Sequence, residues 1–267
     1  MLETDLFLLS VGTRVIVTAA FVLAMGLIIA RARPSLAAVA IAMPVVIGPG
    51  FLILALEREP HFILQAAEDG LGALAGTVAF ATSIAMLAGK VQKAAILLVS
   101  LLAWLVVVAI AGRAEGLGGN LAAFSLVYLA GLWILRGAPA VPRRTVLWSG
   151  RAEIPRAMSA GLLVGFVTLG AEYMGPTIAG TLIALPVGML FVASGVLQSD
   201  DQTRTREILS AGARGSAALA LFLITLRVLV ASNIAPVSAV LFATTVAVIA
   251  ATALGHAVRT SPTVIER

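Results

Sequence analysis

Cysteine is absent from the chain, histidine occurs twice, and only 12% of the 267 residues are charged. Without cysteine there is no disulfide framework, no thiolate nucleophile and no cysteine-ligated metal. His61 and His256 stand too far apart in sequence to suggest the clustered ligands of a metal centre. The scarcity of charge excludes more. An ordinary globular domain is about 25% charged and roughly 45–50% apolar, so this chain lacks the polar residues to cover a water-facing surface. Catalytic signatures are missing as well: the sequence has no GxxxxGK[ST] phosphate loop, no HExxH and no GxSxG. No cofactor is implied, and the expectation is that the chain is not an enzyme.

What is present is apolar. Hydrophobic residues make up 60% of the sequence, and the mean hydropathy is +1.07. Disorder is excluded because there is far too much to bury, and the composition reads as an all-α polytopic membrane protein. The net charge of +5 and the pI near 10.7 raise the question of nucleic acid. No soluble basic domain exists to hold a duplex, and basic residues in membrane proteins mark cytoplasmic loops, so no nucleic-acid partner is expected. The start, MLETDLFLL, has no basic n-region, which makes the first apolar run a retained helix and not a cleaved signal.

About 20 apolar residues cross a bilayer as helix. That ruler gives nine spans, at 7–30, 35–56, 69–88, 91–112, 119–136, 155–173, 176–197, 210–231 and 235–257. Strands alternating apolar with polar residues are lacking, so an outer-membrane barrel is not expected. Loop charge tests the count. With nine spans, one side of the membrane carries only Arg58 and Arg113. The other carries Arg31, Arg33, Lys90, Lys93, Arg136, Arg143, Arg144, Arg151, Arg156, Arg204, Arg206, Arg214, Arg259 and Arg267. By the positive-inside rule the richer side is cytoplasmic. The N-terminus then lies outside and the C-terminus inside, with Arg14 and Arg227 left within spans.

The chain also repeats. Residues 34–45 read PSLAAVAIAMPV and residues 176–187 read PTIAGTLIALPV, an offset of 142 with a shared two-proline frame. At the same offset Arg14 meets Arg156 and Gly70 meets Gly212. Spans 1–4 therefore correspond to spans 6–9, with span 5 between them. Five crossings separate the starts of the two sets, so the halves are oppositely oriented. The expected organisation is a first four-helix repeat (1–112), a linker helix and cytoplasmic loop (113–152) and a second, inverted four-helix repeat (153–267). Inverted repeats recur in secondary transporters, and also as packing duplications, in channels and in membrane enzymes.

Ile178-Ala179-Gly180 and Pro186, in the stretch GPTIAGTLIALP, resemble the signature of the small GlpM-like bacterial inner-membrane proteins. Residues 204–214 stand where that family has a short polar loop with Gly and Arg. The first copy departs from the pattern, with Ala38 where the second has Gly180. The resemblance implies a duplicated small-protein ancestor in a bacterial inner membrane. It also implies a link to envelope polysaccharide production, as an accessory or assembly protein for polysaccharide or lipid-linked precursor export. The two-half plan also resembles drug/metabolite transporters, although those usually have ten spans.

Two features point to a site. Pro44 and Pro186 occupy matching places in spans 2 and 7, where proline deprives a carbonyl of its donor. Gly48-Pro49-Gly50 follow the first and Gly188 the second. Matching broken helices are a sequence pointer to a midplane binding site, and a packing kink is the plainer alternative. The second feature is charge inside the membrane, which is costly and tends to mark function. Arg14, Arg227 and Glu172, with Tyr173, converge with Glu68 and Asp69 at one depth near the outer face, a vestibule for an anionic, zwitterionic or amphipathic substrate or for a carboxylate that carries a proton. Snorkelling of the arginines to the headgroups is the alternative. Glu68 and Asp69 read as solvated acids at the N-terminus of span 3, favoured there by the helix dipole. Gly72/Gly76 and Gly161/Gly165 form GxxxG pairs, read as helix-packing seams, with a homodimer face as the other use. The functional expectation is a secondary transporter working by alternating access, with the lipid bilayer and a small molecule as its partners.

Overall fold

The computed structural model describes residues 47–137, 150–186 and 202–257, with Gly12, Thr13, Ile16, Ala20, Met189, Leu190, Ala193 and Leu197 beside them. Among the described residues all regular structure is helical. The seven helices are α1 (Ile47–Glu57), α2 (Pro60–Leu87), α3 (Lys93–Ala111), α4 (Gly116–Ile134), α5 (Gly150–Ile183), α6 (Gln202–Ala231) and α7 (Pro236–Ala257).

Five of them, α2, α3, α4, α6 and α7, are long and apolar enough to cross a membrane, as expected of a multi-pass membrane protein. They fall on spans 3, 4, 5, 8 and 9. Spans 6 and 7 meet in α5, and α1 covers the later part of span 2. Of span 1 only Gly12, Thr13, Ile16 and Ala20 are described, all helical. The rest of that span, and residues 35–46 of span 2, lie outside the described residues.

The helices differ in what surrounds them. The apolar stretch of α2 is 78% buried, whereas those of α3, α4 and α7 are 22%, 17% and 28% buried. Leu98, Leu102 and Leu105 on α3, Leu126 and Trp133 on α4, and Leu241, Phe242 and Ile249 on α7 point outward. Large apolar side chains facing away from the protein are at home only in lipid. So α2 is a core helix, with α6, α3, α4, α5 and α1 all packed on it.

Local signals explain its ends. Pro60 opens α2 in the first turn, where its missing N–H is not needed. Gly89 follows its end at φ 76°, the left-handed conformation that stops a helix. This start corrects the sequence reading. Span 3 was expected to begin at Asp69, but the apolar face continues upstream through the buried Ile63, Ala66 and Ala67. Glu68 and Asp69 are therefore interior helix positions, not N-terminal acids. Arg214, counted above as a loop charge, likewise lies inside α6, half-buried.

Five neighbours can crowd one helix only where its side chains are small. Gly72 abuts the Asn120 side chain of α4. A Cβ on Gly76 would sit 2.9 Å from the Trp104 carbonyl oxygen and 2.7 Å from Val108 Cγ2, both on α3. Gly180 of α5 packs on the Ala66 carbonyl. The Gly72/Gly76 pair is thus a seam within one chain. Gly161 and Gly165 are buried too. Between the helices, Phe51 of α1 meets Phe222 of α6 edge to face, with ring centroids 6.0 Å apart.

Helix α4 is held at both ends. Asn120 seats one end against Gly72. At the other, Arg214 Nη2 donates to the Leu135 carbonyl at 3.0 Å, and the Tyr128 hydroxyl donates to the Arg214 carbonyl at 3.1 Å.

Two glycine substitutions separate these contacts from helix propensity. Gly76→Ala forces a methyl group onto a backbone carbonyl, an overpacking that costs about 1–3 kcal/mol. Gly118, in α4, has open space around it, so Gly118→Ala gains up to about 1 kcal/mol from propensity. Thermal unfolding in detergent should lower the midpoint for the first and hold or raise it for the second.

Candidate functional site

The charged groups of α2 do not stand alone. Glu68 Oε1 accepts a hydrogen bond from Arg227 Nε of α6 at 2.6 Å, and the two side chains are only 18% and 31% exposed. Glu68 lies early in α2 and Arg227 late in α6. At the opposite end Gly89, just past α2, faces Gln202, the first residue of α6. The two helices therefore run antiparallel.

Around this ion pair other helices contribute polar groups. The Asp69 carboxyl faces Thr177 of α5 and Asn120 of α4. Its Oδ2 is buried without a hydrogen-bond partner among the described residues. Gln65 Nε2, one turn earlier, donates to Thr177 Oγ1 at 3.2 Å. Asn120 is itself buried and donates from Nδ2 to the Gly116 carbonyl at 3.1 Å. Four helices, α2, α4, α5 and α6, thus meet at one polar junction, which holds one carboxylate in an ion pair and a second with one unpartnered oxygen.

The helix that supplies Thr177 is discontinuous. Gly175 breaks α5 at φ 73° and ψ 172°, a region essentially restricted to glycine, and Pro176 restarts it. The new segment ends at Ile183, and Ala184, Leu185 and Pro186 leave the helix. Pro186 cannot donate to the Leu182 carbonyl; Leu185 N–H does so instead, at 3.1 Å. The freed Ala184 carbonyl accepts the Thr77 hydroxyl of α2 at 2.8 Å, in a buried position. Leu190 N–H to the Pro186 carbonyl, at 2.8 Å, resumes the helical pattern. Thr77 is nine residues beyond Glu68, about 14 Å deeper at 1.5 Å per residue. The polar junction therefore lies near one end of α2 and the break well inside.

The expected site residues fare unequally. Arg227 is held by Glu68 in an ion pair and is not left to snorkel alone. Glu68 and Asp69, read as solvated acids, are the carboxylates of the junction. Pro186 is buried at the break, and its neighbouring carbonyls find protein partners. Gly48, Pro49 and Gly50 were expected to interrupt span 2. They are helical and buried in α1, and the residues before Ile47 lie outside the described residues. A Cβ on Gly50 would sit 3.2 Å from Ile183 Cγ2, beside the break. Glu172 and Tyr173 lie in α5 just before the Gly175 kink, and their side chains are outside the described set. Arg14, Pro44 and Gly188 lie outside the described residues. Sequence reasoning missed Gln65, Thr77, Asn120 and Thr177. Asn120, a lone amide in an apolar helix, was the one with a signal.

The ion pair and the break each yield a test. Glu68→Gln removes the charge-assisted bond and leaves Arg227 half-buried, at a cost of about 1.5–3 kcal/mol. The exchanged pair, Glu68→Arg with Arg227→Glu, should recover most of the lost melting temperature in detergent. Thr77→Val leaves the Ala184 carbonyl unpaired in an apolar setting, a loss of about 1–3 kcal/mol. Thr77→Ser keeps the hydroxyl and should melt close to the parent.

No family model, curated protein or solved structure matches this chain.

Proposed function

We propose that the chain is a secondary transporter of a bacterial inner membrane, built from two inverted four-helix repeats. In this reading it carries a small anionic or amphipathic metabolite by alternating access. The observation that carries the reading is a carboxylate–arginine site placed against a discontinuous helix inside a membrane protein. Intramembrane ionisable residues are expensive and mark substrate or proton paths. Broken helices supply the backbone groups that such sites use.

The roles follow from the partners. Arg227 is the cation available to an anionic substrate, and Glu68 holds it until the substrate competes. Asp69 has no basic partner among the described residues and is the carboxyl that takes up and releases a proton. The segment between Gly175 and Pro186 touches the site through Thr177 and the break through Ala184, so it links substrate occupancy to helix geometry. No catalytic group is required, and the protein is not an enzyme in this reading.

The helix register supports the inverted repeat. Helices α3 and α7 start at Lys93 and Pro236, 143 positions apart, within one position of the offset of the proline frame. The antiparallel packing of α2 and α6 is the arrangement that oppositely oriented halves produce. In this reading the N-terminus lies outside and the C-terminus in the cytoplasm, which the positive-inside rule favours.

A chain without cysteine is suited to labelling. Leu185→Cys at the break should react with a membrane-impermeant maleimide from either face of reconstituted vesicles. Acidification should shift the balance between the faces, and Asp69→Asn should abolish that shift. Labelling from neither face, in a protein that retains its melting temperature, overturns the proposal. Co-purification with a polysaccharide synthase, without any pH-dependent labelling, would point to the accessory role that the GlpM-like resemblance implies.

A further inference from the structure

Among the described helices, α3 packs almost wholly on α2, and its buried residues are Ile96, Ser100, Trp104 and Ala111. Its other side points outward, with Leu98, Leu102 and Leu105 exposed. An apolar stripe would serve a helix with lipid on one side and a single main neighbour on the other. Instead the middle of the stripe carries two polar side chains, Ser100 fully buried and Trp104 6% exposed. Neither Ser100 Oγ nor Trp104 Nε1 has a hydrogen-bond partner among the described residues.

The two groups belong together. Residues four apart share a helix face, and helical side chains lean toward the N-terminus, which carries the Trp104 indole over the turn that holds Ser100. A serine hydroxyl can turn back onto the carbonyl four residues earlier, as Ser216 does on Gly212. The indole N–H only donates, and its ring holds it away from its own backbone. Lipid chains offer no acceptor, so the bond must be made inside the protein. The ring stands at the seam between the helices: a Cβ on Gly76 of α2 would sit 2.9 Å from Trp104 Cδ1, the ring atom bonded to Nε1.

We infer that one water molecule is bound in the α2–α3 seam, accepting from Trp104 Nε1 and hydrogen-bonded to Ser100 Oγ. Water is the smallest group that accepts from a fixed indole and also bonds to a hydroxyl, which can donate or accept. Buried waters serve polar groups that the protein leaves unmet, and a bond through water is nearly as favourable as a direct one. The site lies at the depth of the break, because Thr77, the residue after Gly76, holds the Ala184 carbonyl at 2.8 Å. One turn of α2 is thus tied by a hydroxyl to the interrupted helix and by water to α3. The inference is independent of transport.

The chain has three tryptophans, so the indole 15N–1H spectrum of the deuterated full-length protein in detergent is simple. Trp133→Phe and Trp148→Phe identify the Trp104 signal by elimination. The Trp104 indole proton should show a nuclear Overhauser cross-peak to water, with the sign of a long-lived bound molecule. Ser100→Ala takes away the second ligand, and should remove most of that cross-peak and lower the melting temperature. If no water bridges the pair, Ser100→Ala only deletes an unmet polar group and melts at or above the parent. That melting result overturns the inference, as does the absence of a cross-peak or one that Ser100→Ala leaves unchanged. A cross-peak that arises from rapid exchange of the indole proton with bulk solvent overturns it too, since it marks an open crevice. Labelling at Leu185→Cys can succeed or fail whichever way these measurements fall, so the water and the transport reading are judged separately.

Discussion

Everything in this fold depends on a helix that is out of reach of water and yet carries polar groups. In an apolar interior each such group must find a partner in the protein. For α2 those partners come from different helices, Arg227 from α6, Ala184 from the break after α5, Thr177 from α5 and Asn120 from α4. Apolar packing alone allows a helix to slide or turn at little cost. A carboxylate held 2.6 Å from one particular nitrogen does not. The polar groups therefore fix the register of the bundle, and the glycines let its helices come close enough for those bonds to form.

The same bonds connect the site with the discontinuity in α5. Thr177 and Ala184 belong to one short helical segment, and both address α2, one at the junction and the other deeper down. A change in charge at Asp69 acts on the first contact, and a change in the shape of the break acts on the second. The ion pair is a poor source of net stability, since a buried pair repays its desolvation only partly. Its presence where an apolar pair would pack as well fits a functional use more readily than a structural one.

How much of this was legible beforehand follows from what one-dimensional patterns encode. Apolar runs of about 20 residues located α3, α4 and α7 closely, because a helix facing lipid must be apolar along its length. The discontinuity at Pro186 was legible through its proline, and the kink at Gly175 falls in the gap between spans 6 and 7. The start of α2 was not, because reading span limits from charge puts charged residues outside by construction. Glu68 and Asp69 were misplaced for that reason. Arg227 was singled out correctly as an internal charge. Its partner depends on how α2 and α6 pack, which no local pattern states. Thr77 gave no signal, as a threonine in a membrane helix commonly satisfies itself on its own backbone, as Thr244 and Thr245 do.

Helix α4 has a mechanical meaning of its own. Asn120 pins one end of α4 to α2, and Arg214 with Tyr128 pins the other end to α6. A rod anchored to a different helix at each end resists both separation and sliding of those helices. Helix α4 thus acts as a brace laid across α2 and α6.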